Sequence, residues 1–454
     1  MKICVIGAGS SGIASCQVLD ARGIPFDCFE KGSQVGGNWR YMNDNGMSSA
    51  YRSLHINTSR GLMAYATYPM PEDCPDYPNH FQIAKYFDDY VDHFGFRDRI
   101  RFGCEVIDIA PQDGAWHVVW RELESGEEDS ARYRAVLVAN GHHWDPRWPE
   151  PPFPGQDSFD GDQLHAHDYK EPDALEGKRV LVLGIGNSAT DIAVESSRVA
   201  ERTFLAMRRG AYVIPKYLKG RPTDELGNQI TSRLPIGVQR TMYRRLLSLA
   251  AGDPTAYGLP EPDHKLLEAH PTVSSDLLHR IGHGDITVKS NLAEFSGGRN
   301  VRFTDGSEEE IDLAIWCTGY KISFPFFKPE LISAPDNRIP LYRRVVSPAH
   351  PGLYFIGLLQ PLGAIMPLAE AQSEWIADVL EEKVSLPGRE EMLEVIERED
   401  RRMAERYVAS KRHTIQVDFY PYMRTVERER KRGRSLPARL LARASHELRV
   451  GAGD

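Results

Sequence analysis

Two short loops carry the residue types that bind a dinucleotide. GAGSSG runs from Gly7 to Gly12 directly after Ile3-Cys4-Val5-Ile6, and GIGNSATD begins at Gly184 after Val180-Leu181-Val182-Leu183. In such a loop the first glycine permits a tight turn, the second lets backbone approach a pyrophosphate, and the third lets the next helix pack closely on the strand. The helix N-terminus then faces the phosphate charge. The candidate contacts are Gly7, Gly9, Ser11 and Gly12 in the first loop and Gly184, Gly186, Asn187, Ser188 and Asp191 in the second, where Ala189 takes the third glycine's place.

The two loops differ at the end of the following strand. After the first comes Glu30, whose carboxylate can accept both hydroxyls of an adenosine ribose. The same position after the second is Met207, followed by Arg208 and Arg209. Two guanidinium groups in place of the acid can pair bidentately with a 2′-phosphate. On this reading NADPH occupies the second fold, which leaves FAD for the first. Two blander alternatives stay open: an ordinary βα turn with a surface Glu30, and arginines that only solvate a strand end.

The elements that must position these residues follow a βαβ order twice. Strand 3–6, helix 13–21 and strand 25–29 make the first unit, and strand 179–183, helix 189–200 and strand 202–207 the second. Two more apolar strands, 135–139 and 313–317, run into turns at Gly141 and Gly319 and flank the second unit. The expected fold class is therefore α/β, with two Rossmann-like dinucleotide-binding domains and the NADP domain inserted into the FAD domain. The expected division is 1–170 for the first part of the FAD domain, 171–285 for the NADP domain, and 286–454 for the return and a C-terminal tail. The proline cluster from Pro146 to Pro154 suits the outward linker. A proline-punctuated elaboration over 210–284, with a helical piece at 238–251, has no evident role. The Arg-rich tail, with ERERKRGR at 427–434, reads as a solvated helix or frayed end and secondarily as a partner surface.

At 454 residues the chain is long enough for two or three domains. Its net charge of -9 offers no basic face for nucleic acid. Residues after Met1 already form a strand rather than a signal, and no apolar run reaches membrane-spanning length. Six scattered cysteines without a Cys-x-x-Cys pair suggest reduced thiols in a cytoplasmic protein and argue against a disulfide reductase.

Several stretches together resemble the flavin-containing monooxygenases, a family of class B flavoprotein monooxygenases: GAGSSG, EKGSQVGGNW at 30–39, SLHINTSR at 53–60, FDGDQLHAHDY at 159–169, KRVLVLGIGNSATDIA, WCTGY at 316–320 and YFIGLLQPLGAIMP at 354–367. Phe159, Gly161, His165 and Tyr169 match the family's fingerprint spacing. The departures are Ala189, Cys317 where alanine is usual, and His167. The polar tail suggests a nearer likeness to soluble microbial members than to mammalian ones with an apolar anchor.

The resemblance implies an NADPH- and oxygen-dependent enzyme that forms a C4a-hydroperoxyflavin and oxygenates a nucleophilic nitrogen or sulfur of a small molecule. It implies that Gly37, Asn38 and Trp39 flank the flavin, that Asn57 lies beside its ring as the catalytic candidate with Thr58 next to it, and that Gln360 lies near the same site. Taken alone, Asn57 reads as a turn residue. His165, between the domains, fits a hinge better than an acid or base. The rivals are Baeyer-Villiger oxygenation of ketones, whose related fingerprint generally ends in tryptophan where this chain has Tyr169, N-hydroxylation of one specific amine, and a non-catalytic NADPH-binding redox sensor. The expected partners are the small-molecule substrate and molecular oxygen, with no nucleic acid, no membrane anchor and room for a homodimer.

Overall fold

Unbroken apolar runs such as VLVL at 180–183 suit strands covered on both faces, and parallel sheets supply that environment. The computed structural model describes residues 1–250, 252–407 and 414–432. Its first sheet runs in the order Leu353–Phe355, Ala135–Val138, Ile3–Ile6, Phe26–Phe29 and Ile100–Arg101, parallel throughout. The second runs Ile286–Lys289, Arg202–Ala206, Arg179–Leu183, Leu313–Trp316 and Asp162–His165, again parallel throughout. Parallel neighbours need crossovers, which the helices Ser10–Ala21 and Asn187–Val199 provide. Both helices start earlier than expected, so that their first turns lie within the glycine loops.

Each fold also carries a three-stranded antiparallel meander before its return strand. The first is Cys104–Gln112, Ala115–Glu122 and Glu128–Tyr133; the second is Leu292–Gly297, Asn300–Phe303 and Glu308–Glu310. The sequence reading passed over both. The architectural repeat is thus longer than the two βαβ units.

The expected 171–285 boundaries are too narrow. Asp162–His165 and Leu313–Trp316 both belong to the second sheet, and Ile286–Lys289 is its edge. The two passages between the folds pair with each other, Asp145–Pro146 antiparallel to Tyr320–Lys321. The inserted fold occupies the chain between those passages. The misreading has a physical origin: the 313–316 strand is the second fold's counterpart of 135–138, and two like strands cannot be assigned to sheets by composition.

The tail departs from expectation too. Phe419–Arg432 is a helix packed on the helix Met366–Leu380. Buried Glu429 accepts from Tyr342 Oη at 2.7 Å and Arg343 Nε at 2.9 Å, while Arg430 reaches Asp378 at 2.8 Å and Glu374 at 3.0 Å. Within 427–432 Glu429 and Arg430 form a docked edge, while Glu427, Arg428, Lys431 and Arg432 are exposed as a solvated helix would have them; Gly433 and Arg434 lie outside the described residues. Among the described residues no helix is long and apolar enough to cross a membrane, and the six cysteines are free.

Candidate active site

The glycine loops do what their residues allow. Gly7 and Gly184 have φ of 93° and 135°, conformations that side chains rarely adopt. A Cβ at Gly7 would stand 2.8 Å from the Ala139 carbonyl oxygen, and one at Gly184 would stand 2.9 Å from that of Cys317. Each loop is pressed on the end of the neighbouring strand. A Cβ on Gly12 would meet the Gly7 carbonyl oxygen at 1.8 Å, whereas the second loop accommodates buried Ala189. The helices beginning after Gly9 and Gly186 have neither a side-chain cap nor an acid in the first turn. Their leading N–H groups are open to a phosphate, as a dinucleotide requires. Gly37 backs onto Gly9, and the backbone of Gly357 lies against the Ser11 hydroxyl.

Glu30 is buried at the end of its strand. Oε2 accepts from the Ala8 N–H at 2.7 Å, and Oε1 from the Gly32 N–H at 2.8 Å and Asn45 Nδ2 at 3.2 Å. Burial raises its proton affinity, and the three donors oppose that. A carboxylate offers about four lone-pair directions. The chain's own donors leave one, narrower than the two hydroxyls expected.

Between the folds lies a cavity of about 2010 Å³. It brings together Asn38, Trp39, Asn57, Thr58 and Gln360 from the first fold with Gly184, Gly186, Asn187, Ser188, Arg208 and Arg209 from the second. Asn38 is tied down, its Oδ1 accepting from both the N–H and the hydroxyl of Ser49 at 2.8 Å. Asn187 Oδ1 accepts from the Val273 N–H at 2.9 Å. Among the described residues, neither Asn57 nor Gln360 spends its side-chain amide on the protein. Arg209 Nε lies 3.1 Å from Asp263, while Arg208 has no carboxylate partner among the described residues.

Asp191, expected among the nucleotide contacts, is bonded instead to the Tyr51 hydroxyl, and burial lifts its carboxyl to about 6. One helical turn on, Glu195 accepts from Tyr169 Oη at 2.6 Å. These two tyrosine–carboxylate pairs seat the Asn187–Val199 helix, and sequence reasoning missed both. His165 closes the edge strand of the second sheet. Its Nδ1 accepts from the His167 N–H at 3.0 Å, its ring lies 5.6 Å from Tyr320, and burial lowers it to about 4. It is neutral near pH 7 and sits beside the passage between the folds. The described residues hold no cluster suited to a metal ion.

The family model for flavin-binding monooxygenase-like proteins matches residues 1–447. The chain belongs to that family. It is 38% identical over 440 residues to flavin-containing monooxygenase 5 of Oryctolagus cuniculus, covering 94% of this chain and 82% of that protein. It is 35% identical to the N-oxide-forming dimethylaniline monooxygenase 2 of Pan troglodytes, over 93% of this chain and 81% of that one. Among solved structures, the S-allyl-L-cysteine S-oxygenase of Allium sativum superposes with a TM-score of 0.71 at 26% identity, covering 99% of this chain and 93% of its own. The likeness is thus not confined to microbial members. The protein is an FAD- and NADPH-dependent monooxygenase of a small organic substrate.

Proposed function

We propose that the enzyme oxygenates a nucleophilic nitrogen or sulfur. The observation that carries this reading is the meeting of both dinucleotide folds on one cavity where the Asn57 and Gln360 amides remain unspent. Two relatives support the choice of atom by their names, one N-oxide-forming and one an S-oxygenase. The fingerprint's ending in Tyr169, where the ketone-oxygenating pattern generally has tryptophan, supports it further.

Bound FAD supplies hydride acceptance and oxygen activation, chemistry the protein itself lacks. The chain's part is to bind, orient and exclude water. Gly7, Gly9, Ser11, Gly12 and Glu30 would hold the adenosine and pyrophosphate end of FAD, and Gly37, Asn38, Trp39, Thr58 and Gln360 would flank the remainder. The second loop, through Gly184, Gly186, Asn187 and Ser188, would hold NADPH, with Arg208 and Arg209 on its 2′-phosphate. Asn57 donates or accepts at the reacting end, where an amide suits a site that must bind both oxidised and reduced nicotinamide. His165, whose Nδ1 is spent on the His167 N–H, serves the passage between the folds.

The test is NADPH and oxygen consumption with a trialkylamine, a thioether and a cyclic ketone, followed by mass spectrometry of products. An N-oxide or sulfoxide is expected. Lactone formation from the ketone with the amine and thioether untouched would overturn the reading.

A further inference from the structure

The elaboration after the second fold's central strands sends a short hairpin back to the first fold. Tyr217–Leu218 pairs antiparallel with Arg221–Pro222, and the bonds from Thr223 N–H to the Lys216 carbonyl at 2.9 Å and from Thr223 Oγ1 to the Pro215 carbonyl at 2.7 Å close its base. Lys216 and Asp224 stand at that base. Lys216 Nζ donates to the Ile56 carbonyl at 3.1 Å, and Asp224 Oδ2 accepts from the Ser59 N–H at 2.6 Å. The two charged groups grip the Ile56-Asn57-Thr58-Ser59 segment at both ends, on either side of Asn57. Tyr77 completes the joint: its hydroxyl donates to the Lys216 carbonyl at 2.6 Å, and its ring lies 5.0 Å from the Lys216 ammonium.

We propose that Lys216 and Asp224 are positioning residues for oxygenation, clamping the loop that carries Asn57 to the nucleotide-binding fold. The proposal rests on the reading of Asn57 given above. Three considerations carry it. The Asn57 segment lies outside both parallel sheets, so its conformation depends on such tethers. Hydrogen bonds to charged groups are the strong ones, and here both ends of the tether are charged. The clamp also joins separate folds, which makes the place of Asn57 depend on how the nucleotide fold is seated. A displacement of about 1 Å at a reacting site can cost about 100-fold in rate.

The test uses FAD-loaded enzyme as wild type, Lys216→Met, Lys216→Arg, Asp224→Ala, Asn57→Ala and the Lys216→Met/Asn57→Ala double variant. Three quantities are read: hydrogen–deuterium exchange of the 53–63 peptide without substrate, the share of NADPH electrons that leaves as hydrogen peroxide, and the KM for NADPH. Lys216→Met and Asp224→Ala are expected to speed exchange across 53–60 about tenfold and to raise the peroxide share about threefold. Lys216→Arg should restore both, and Lys216→Met should add nothing to the peroxide share of Asn57→Ala. If Asp224→Ala fails to load FAD, Asp224→Asn is read in its place. Asn57→Ala that uncouples while the clamp variants exchange and couple like wild type would sink the clamp alone. Asn57→Ala coupled as well as wild type would remove the Asn57 reading and the clamp's purpose with it. A raised KM for NADPH with exchange and coupling intact would make Lys216 a nucleotide ligand and overturn the proposal.

Discussion

The two arginines after the second fold's Arg202–Ala206 strand should not contribute equally to nucleotide choice. A charged hydrogen bond is worth about 1.5 to 3 kcal/mol, or about 10- to 150-fold in affinity. Arg208 lines the cavity without a carboxylate partner among the described residues, so Arg208→Ala should forfeit that full amount on NADPH. Arg209 is different: its Nε lies 3.1 Å from Asp263, with the two side chains 42% and 50% exposed. An exposed pair is worth about 0 to 1 kcal/mol, and Arg209 must give up some of it to reach a phosphate. Arg209→Ala should therefore cost about 3- to 30-fold. Asp263→Asn should act in the opposite direction, tightening NADPH by about 2- to 5-fold by freeing Arg209 and removing a like charge. NADH, lacking the 2′-phosphate, should change by less than about twofold throughout. Anaerobic bleaching of the flavin absorbance against NADPH or NADH concentration measures each value. Equal losses for the two nucleotides, or a larger loss at Arg209 than at Arg208, would refute the assignment.

Gly12→Ala forces a Cβ to within 1.8 Å of the Gly7 carbonyl oxygen, a backbone atom that no rotamer can move aside. It should cost about 4 kcal/mol or more and yield protein with little or no bound flavin, read from melting temperature and the flavin-to-protein absorbance ratio. Asp191→Asn tests the buried carboxyl. Its folded value of about 6 lies above the ordinary range, so the stability it contributes is complete below about pH 4 and lost as pH rises through 6. The variant should gain on wild type by up to about 3 kcal/mol between pH 4 and 7 and stay level above, as read from urea midpoints; a constant difference across that range would refute the shift.

The legible parts of this chain are those whose cause is local. Gly7, Gly12 and Gly184 announce themselves because a turn, a close approach and a phosphate site all demand the same small residue within a few positions of an apolar strand. The burial of Glu30 and the place of Arg208 on the cavity are legible for a related reason, since each follows a strand that ends beside such a loop. The strand 313–316 misled because its residues suit either sheet equally, and only pairing with 180–183 decides. The clamp was invisible: Lys216 and Ile56 lie far apart in the chain, and a lysine reaching a backbone carbonyl leaves no spacing or periodicity behind it. Asp191 shows the converse, a residue inside a legible motif whose partner, Tyr51, comes from outside it. These long-range contacts bear on why two loops of one kind are needed. A second loop that only delivered a reductant could sit on a loosely attached fold. The second fold here is fastened to the first through Asp191 to Tyr51 and through Lys216 and Asp224 to the backbone around Asn57. A fastened fold is expected to keep its nucleotide at the cavity after hydride transfer. Reduced enzyme mixed with oxygen should release hydrogen peroxide more slowly with added NADP+ than without it, and equal rates would show that the second loop only docks a reductant.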